Sequence, residues 1–166
     1  MAATQPMACR GCAAKLPARP LNAALSQAGL KTQPEDAANL GGTPALLQSV
    51  DGFPALISDP WLNGRLTTLH ACSDLWACGA TVTTAMAVVT LPAIHPNEQQ
   101  ELLHQTLAGV QSVLVEQGAS LIGGHTLESR SSTPSPTTLG LQVALSVNGQ
   151  SSTPWSKGGI QPGDAL

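Results

Sequence analysis

The chain has 166 residues and a formal net charge of −3 at pH 7, and 42% of its residues are hydrophobic while only 2% are aromatic. This length and composition predict one globular domain with an aliphatic core, and the seven Lys and Arg residues are too few for a nucleic-acid surface. The sequence has neither an apolar stretch that could cross a bilayer nor a signal-peptide core, so we expect a cytoplasmic protein with four thiol cysteines.

The first third of the chain predicts a lead-in, a short helix and the first strand. Residues 1–8 are expected to be flexible, and residues 20–28 form a short helix. A turn-rich segment follows at 33–43, and the apolar run 45–50 predicts a buried strand. Residues 53–57 either extend that strand or form a second one.

Clear start and stop signals bound the next helix, which we predict at residues 59–78. Asp59 suits the N-cap, Pro60 suits the first helical position, and Gly79 suits the C-terminal cap. The helical period predicts an apolar face made of Leu62, Leu66, Leu69, Ser73, Trp76 and Ala77. A polar ridge runs beside this face and consists of Asn63, Thr67, His70 and Asp74.

Asp74 is the most informative member of this ridge. A carboxylate near the C-terminal end of a helix is disfavoured by the helix dipole. If the ridge is buried, Asp74 therefore needs a cation or strong hydrogen-bond donors. The alternative is a half-exposed surface aspartate with no special role.

The remaining elements follow at regular intervals. Residues 81–91 predict a strand, and residues 97–117 predict an amphipathic helix. A short strand at 119–122, a loop rich in Ser, Thr and Pro at 129–138 and a final strand at 139–147 complete the pattern. The buried stripe of the amphipathic helix is expected to consist of Leu103, Leu107, Val110 and Leu114.

This order of strands and helices predicts an α/β (α+β) fold with a mixed sheet and helices on one face. We expect a homodimer to cover the other face, because no remaining segment is long enough to do so. Residues 9–158 are expected to form the domain, and residues 159–166 the start of a linker to a second domain that is absent here.

A pair of cysteines near the N-terminus is the first candidate for chemistry. Cys9 and Cys12 form a Cys-x-x-Cys pair, which is compatible with half a zinc site or with a redox pair. The other cysteines and histidines lack the spacing of a zinc knuckle, and no strand precedes Cys9 as a redox motif would require. The remaining chemical option is a nucleophilic thiolate at Cys12, whose pKa the nearby Lys15 would lower. The alternative is an ordinary mobile N-terminal tail.

Two further constellations suggest anion and metal binding. Asp36, Asp51 and Asp74 follow or lie within apolar segments, and oxygen ligands of this kind suit Mg²⁺ together with substrate phosphates. The segment 123–125, Gly-Gly-His after a short strand, could cradle an anion with its backbone N–H groups or could be a plain tight turn.

Taken in chain order, these motifs resemble the N-terminal, ATP-binding domain of selenophosphate synthetase (selenide, water dikinase), a family of the aminoimidazole ribonucleotide synthetase-like superfamily. The Cys-x-x-Cys-x-x-Lys form of the first motif is most similar to the branch fused to a flavin-dependent, NADH dehydrogenase-like module. The matching segments are residues 11–15, 35–38, 50–54, 59–65, 71–79 and 121–126, followed by the lead-in to a second domain at 162–166.

The resemblance implies that ATP, selenide and water are converted to selenophosphate, AMP and phosphate. By this analogy Cys12 and Lys15 are catalytic, with Cys12 handling selenium, while Asp36 and Asp74 hold Mg²⁺ between the phosphates. The residues implied to contact ATP are Lys15, Asp51, Asp74, Gly123, Gly124 and His125.

Two departures from the family pattern bear on metal binding: Glu35 replaces the usual Asp, and His70 replaces a small polar residue such as Asn. A further metal-ligating Asp belongs to the second domain, so we predict that this chain alone does not catalyse the full reaction. The alternatives are another superfamily member, such as a thiamine-monophosphate kinase or the hydrogenase-maturation carbamoyl dehydratase, or a degenerate dimerisation module without a ligand.

Overall fold

A computed structural model describes residues 16–31, 35–129, 140–158 and 161–163. Predictions for the lead-in at 1–8, for Cys12 and Lys15, and for most of the loop at 129–138 therefore lie outside the described residues. The elements in chain order are α1 (Ala18–Gln27), β1 (Ala38–Asn39), β2 (Ala45–Pro54), α2 (Pro60–Ala77), β3 (Thr81–Leu91), α3 (Pro96–Glu116), β4 (Ser120–Glu128) and β5 (Gln142–Ser151).

The strands form one five-stranded sheet in the order β1-β2-β5-β3-β4. All neighbouring pairs are antiparallel except β3 and β4, which are parallel and are joined by α3 as a crossover. This topology confirms the predicted mixed sheet. It also separates β2 from β4 by three strand spacings, or about 14 Å.

One face of the sheet is covered by helices. In β5 the buried residues alternate with partly exposed ones, as a strand with one packed face requires. Helices α2 and α3 lie on this face and pack on each other. Helix α2 covers β2 and β5, and α3 covers β3 and β4. The best-buried residues of the core include Val143, Leu145 and Val147 in β5. The prediction of helices on one face is therefore confirmed for α2 and α3. Helix α1 has no buried residue.

Helix α2 begins and ends where the sequence predicts. The Asp59 side chain accepts a hydrogen bond from the Leu62 N–H at 2.9 Å, and Pro60 occupies the first turn. Gly79 follows the C-cap with φ of +67°, a conformation that favours glycine. None of the helices in the described ranges is both long and apolar enough to span a bilayer.

The predicted apolar face of α2 is wrong. Of the six residues assigned to it, none is fully buried, and Ser73 and Ala77 are exposed. The helix packs so closely on α3 that only small side chains fit between the two axes: a Cβ on Gly64 would lie 2.1 Å from the carbonyl oxygen of Thr106. The residues that are buried are Asn63, Gly64, Thr67, Thr68, Ala71, Cys72 and Leu75.

The predicted buried stripe of α3 is only half correct. Val110 and Leu114 are fully buried, but Leu103 and Leu107 are partly buried and pack against the margin of the core. Their place on the innermost face is taken by other residues, namely Thr106, Gly109 and Val113.

The plain-turn alternative for residues 123–125 is wrong, because these residues lie inside β4, which extends beyond the short strand predicted at 119–122. Their backbone continues the parallel ladder, with Gly124 opposite Ala87 and His125 opposite Val88. A Cβ on Gly124 would lie 2.0 Å from the carbonyl oxygen of Ala87. The glycine thus permits the close approach of β3 and β4 rather than a bend in the chain.

Candidate active site

The seam between β2 and α2 holds two of the predicted site residues. Strand alternation directs Leu47, Ser49 and Asp51 toward the helix layer. The Ser49 hydroxyl donates a hydrogen bond of 2.6 Å to Oδ2 of Asp74 on α2. Asp74 is thus a half-buried carboxylate with one oxygen fixed by a short, charge-assisted bond.

Asp51 lies two residues after Ser49 on β2, along the same seam. Its Oδ2 is 3.0 Å from Nδ1 of His70, one turn before Asp74 on α2. The His70 ring makes an edge-to-face contact with Phe53, with the two ring centroids 5.3 Å apart. The histidine that departs from the family pattern is therefore the partner of a predicted nucleotide-binding carboxylate.

The N-terminal half of the polar ridge, Asn63 and Thr67, has a structural role instead. The Asn63 side chain accepts a hydrogen bond from the Leu56 N–H and donates one to the Asp59 carbonyl, both at 2.8 Å. The Thr67 hydroxyl donates to the Asn63 carbonyl at 2.8 Å. The two Asn63 bonds fix the loop that joins β2 to α2, so the candidate site residues of the ridge are His70 and Asp74.

Asp36 reaches the same region from the edge of the sheet. Ala38 pairs with Gln48 in the β1–β2 ladder, so Asp36, two residues earlier, lies near the part of β2 that carries Ser49. Oδ1 of Asp36 is 2.8 Å from the ammonium nitrogen of Lys157. The backbone N–H of Lys157 donates to Oε2 of the neighbouring Glu35 at 3.0 Å.

Lys157 contacts two acidic residues of this region, Asp36 through its ammonium and Glu35 through its backbone N–H. The hydrogen bond with Asp36 is the main cause that raises the pKa of Lys157, and the charges of Asp36, Glu35 and Asp74 raise it further. Sequence reasoning did not identify this lysine. The available signal was weak: a cation shortly after the last strand, in a chain with only seven Lys and Arg residues.

The segment that carries Lys157 is attached to the C-terminal end of α2. The Trp155 N–H donates to the Cys78 carbonyl at 3.0 Å. The Trp155 ring lies against Gly79 so closely that a Cβ there would be 3.0 Å from the ring atoms. The helix end that presents Asp74 therefore also positions the lysine.

The donor chemistry of this cluster fits Mg²⁺. Mg²⁺ prefers carboxylate oxygens and usually binds through one or two of them, completing its shell with water and substrate phosphates. Asp36 and Asp74 supply such oxygens, and the ammonium of Lys157 already serves as a cation on Asp36. Across the described ranges, no three or more His, Cys, Asp or Glu side chains converge into a group that could hold a metal alone. A metal there would thus complete its coordination shell with water or with substrate phosphates.

The predicted Gly-Gly-His segment lies at another edge of the sheet. Residues 123–125 line a cavity of about 530 Å³ between α3 and the β3–β4 edge, whose other walls include Val89, Leu103 and Leu121. None of Asp36, Asp51 and Asp74 lines this cavity. The structure thus places Asp51 and Asp74 along one seam and Asp36 at the neighbouring sheet edge, but leaves Gly123, Gly124 and His125 on the far edge of the sheet.

The two described cysteines offer no nucleophile. Cys72 and Cys78 are free and buried, and burial raises the pKa of the Cys72 thiol to about 11. A thiol with this pKa is almost entirely protonated at neutral pH and therefore inert. The nucleophile prediction rests on Cys12, which lies outside the described residues.

Comparison with known proteins identifies the fold. The family model for AIR synthase related protein, N-terminal domain, matches residues 34–144. A selenide, water dikinase of Pelobacter propionicus is 32% identical over 98% of this chain and 47% of its own length. The corresponding protein of Myxococcus xanthus is 33% identical over 95% of this chain and 45% of its own length. The chain thus spans about half the length of the curated relatives it matches.

Solved structures support the same fold. Thiamine monophosphate kinase from Aquifex aeolicus superposes with a TM-score of 0.64 over 84% of this chain and 45% of that chain, at 14% identity. At this identity the likeness concerns the fold alone. Because the family model covers more than half of the sequence, the chain belongs to the family of AIR synthase related proteins and carries its N-terminal domain.

Proposed function

We propose that this chain is the ATP- and Mg²⁺-binding half of a selenophosphate synthetase, which forms selenophosphate, AMP and phosphate from ATP, selenide and water. The observation that carries the proposal is the acidic surface beside β2, where Ser49 orients Asp74 and Lys157 pairs with Asp36. The selenide, water dikinases that align with almost the whole chain support the choice of reaction.

The cluster has the charge that a metal-dependent nucleotide site requires. A surface of carboxylates repels a triphosphate, so the site can bind ATP only with divalent ions between the two. Asp36 and Asp74 would hold Mg²⁺, and the Ser49 hydroxyl keeps Asp74 oriented for it. When bound, Mg²⁺ would neutralise phosphate charge during transfer. Asp51 and its partner His70 line the same seam and would contact the nucleotide.

The N-terminal motif would complete the chemistry. By resemblance to the family, Lys15 contacts the phosphates and Cys12 handles selenium beside them. We place the protein in the cytoplasm and expect the full-length product to carry a second domain, and a flavin-dependent oxidoreductase in the branch that the Cys-x-x-Cys form indicates.

Within one chain, Gly124 lies about 14 Å from β2, as three strand spacings require, so a nucleotide at the seam would have to extend toward β4 to reach it. A homodimer would cover the open face of the sheet, opposite the helix layer that carries the acidic cluster. That face carries exposed apolar residues that a partner would cover, namely Leu46, Val50, Met86, Val88 and Leu127.

Val88→Glu is expected to convert the dimer to a monomer. The side chain is 41% exposed on the open face, and a buried carboxylate at a self-complementary interface would face its own copy. Light scattering at micromolar concentration measures the mass. Val115→Glu on the outer surface of α3 is the matched control and should leave the dimer intact. A monomeric wild type, or a dimer in both variants, would contradict this arrangement.

The products of the full-length protein test the reaction. With Mg²⁺, ATP and selenide we expect AMP and phosphate, together with a selenophosphate signal in phosphorus NMR. With thiamine monophosphate in place of selenide we expect no transfer. Formation of ADP with thiamine monophosphate would instead support the kinase alternative, and carbamoyl dehydration would support the hydrogenase-maturation alternative. A robust dimer that binds no nucleotide would support the degenerate module.

A further inference from the structure

The proposed reaction leaves one charged side chain of the site without a role. Lys157 makes a direct ion pair with Asp36, one of the two residues that would hold Mg²⁺. We propose that Lys157 is an internal competitor of the divalent ion: it occupies Asp36 in the metal-free protein and lowers the affinity of the site for metal. This inference rests on the proposed function, because it concerns the same carboxylates.

The contact itself supports competition. The ammonium nitrogen is 2.8 Å from Oδ1 of Asp36, which is the distance of a charge-assisted hydrogen bond. A metal that bound this oxygen would have to displace the ammonium, since two cations cannot share it at that range without strong repulsion.

The backbone around Lys157 is fixed, so the pairing is more than one pose of a loose surface lysine. The backbone N–H of Lys157 donates a hydrogen bond to the Glu35 carboxylate. Two residues earlier, the Trp155 N–H donates to the Cys78 carbonyl, and the Trp155 ring lies against Gly79. These contacts hold the base of the side chain on the acidic cluster. The flexible part that must move for a metal to enter is therefore only the four-carbon stem.

The excess of negative charge and the solvent exposure of the Lys157–Asp36 ion pair both favour displacement of the ammonium by a metal. Lys157 pairs with the Asp36 carboxylate, and its backbone N–H is bonded to a second carboxylate, Glu35, so its single positive charge leaves one negative charge of these two in excess. The pair is also partly solvated, with side-chain exposures of 52% for Lys157 and 34% for Asp36. Exposed ion pairs are weak, and competition by this one should change metal affinity about two- to fivefold.

Titration with Mn²⁺ as a spectroscopic substitute for Mg²⁺, without nucleotide, tests the proposal. Electron paramagnetic resonance of free Mn²⁺ gives the affinity directly and needs no activity. Lys157→Met removes the charge and keeps the length, and we expect it to tighten Mn²⁺ binding about two- to fivefold. Lys157→Arg retains the charge and should bind like the wild type. Arg65→Met, which removes a cation paired with Glu116 on α3, is the matched control and should also bind like the wild type.

Asp74→Asn separates failure of this inference from failure of the proposed function. If Asp74→Asn weakens Mn²⁺ binding while Lys157→Met leaves it unchanged or weakens it, the metal site stands and the competitor role of Lys157 is wrong. If Asp74→Asn binds Mn²⁺ as the wild type does, the metal site at this seam is wrong, and the inference fails with it.

Discussion

Asp74→Asn is expected to weaken Mg²⁺-dependent binding of a non-hydrolysable ATP analogue by at least about tenfold, the loss that even indirect damage to a metal site causes. The amide keeps the shape of the side chain and can still accept the hydrogen bond from Ser49, so the β2–α2 seam should remain intact. What disappears is the negative charge that a divalent ion requires. Calorimetric titration with and without Mg²⁺ measures the change.

Glu98→Gln is the matched control for this experiment, because it removes one carboxylate from the first turn of α3, away from the cluster. Its affinity for the analogue should equal that of the wild type. Equal affinity of Asp74→Asn and wild type would count against the proposed nucleotide site, while equal loss in both variants would indicate a general effect of net charge. A loss that persists without Mg²⁺ would mean that Asp74 contacts the nucleotide without a metal.

Local signals in the sequence predicted the boundaries of α2 but not the face it buries. Asp59, Pro60 and Gly79 act within one turn of the helix, so their effect can be read from the sequence alone. The buried face depends on how closely α3 approaches, and the helical period of the leucines says nothing about that distance. The close approach at Gly64 favours small and hydroxyl side chains over leucine, which is the opposite of what hydrophobic periodicity predicts.

The candidate site, like α2, was predicted from the sequence only in part. Asp36, Asp51 and Asp74 were singled out as scarce acids in apolar segments. The fold brings Asp51 and Asp74 to one seam because β2 and α2 are consecutive and adjacent, while Asp36 lies at the sheet edge next to β2. Lys157 was missed because its link to Glu35 spans 122 positions of sequence, which no local pattern encodes. For the segment 123–125 the sequence left close backbone approach and a tight turn open, because a glycine pair is compatible with either.

Gly109→Ala is expected to lower the free energy of unfolding by about 2–3 kcal/mol, although alanine is ordinarily the better helix former by about 1 kcal/mol. The sign reverses because a Cβ on Gly109 would lie 1.9 Å from the Trp61 carbonyl oxygen, and both partners are backbone of packed helices. No side-chain rotation can relieve this clash, so α2 and α3 would have to separate. Urea unfolding followed by far-ultraviolet circular dichroism measures the change.

Gly158→Ala is the matched control, since an added Cβ there has no neighbour within 4 Å and the residue does not have a positive φ. Its unfolding free energy should stay within about 0.5 kcal/mol of the wild type. If Gly109→Ala were as stable as this control, the two helices could not be as close as described. The displacement should also reach the site, because the helix that moves away from α3 carries both His70 and Asp74. Gly109→Ala should therefore weaken binding of the ATP analogue under conditions where the protein is still folded, whereas Gly158→Ala should not.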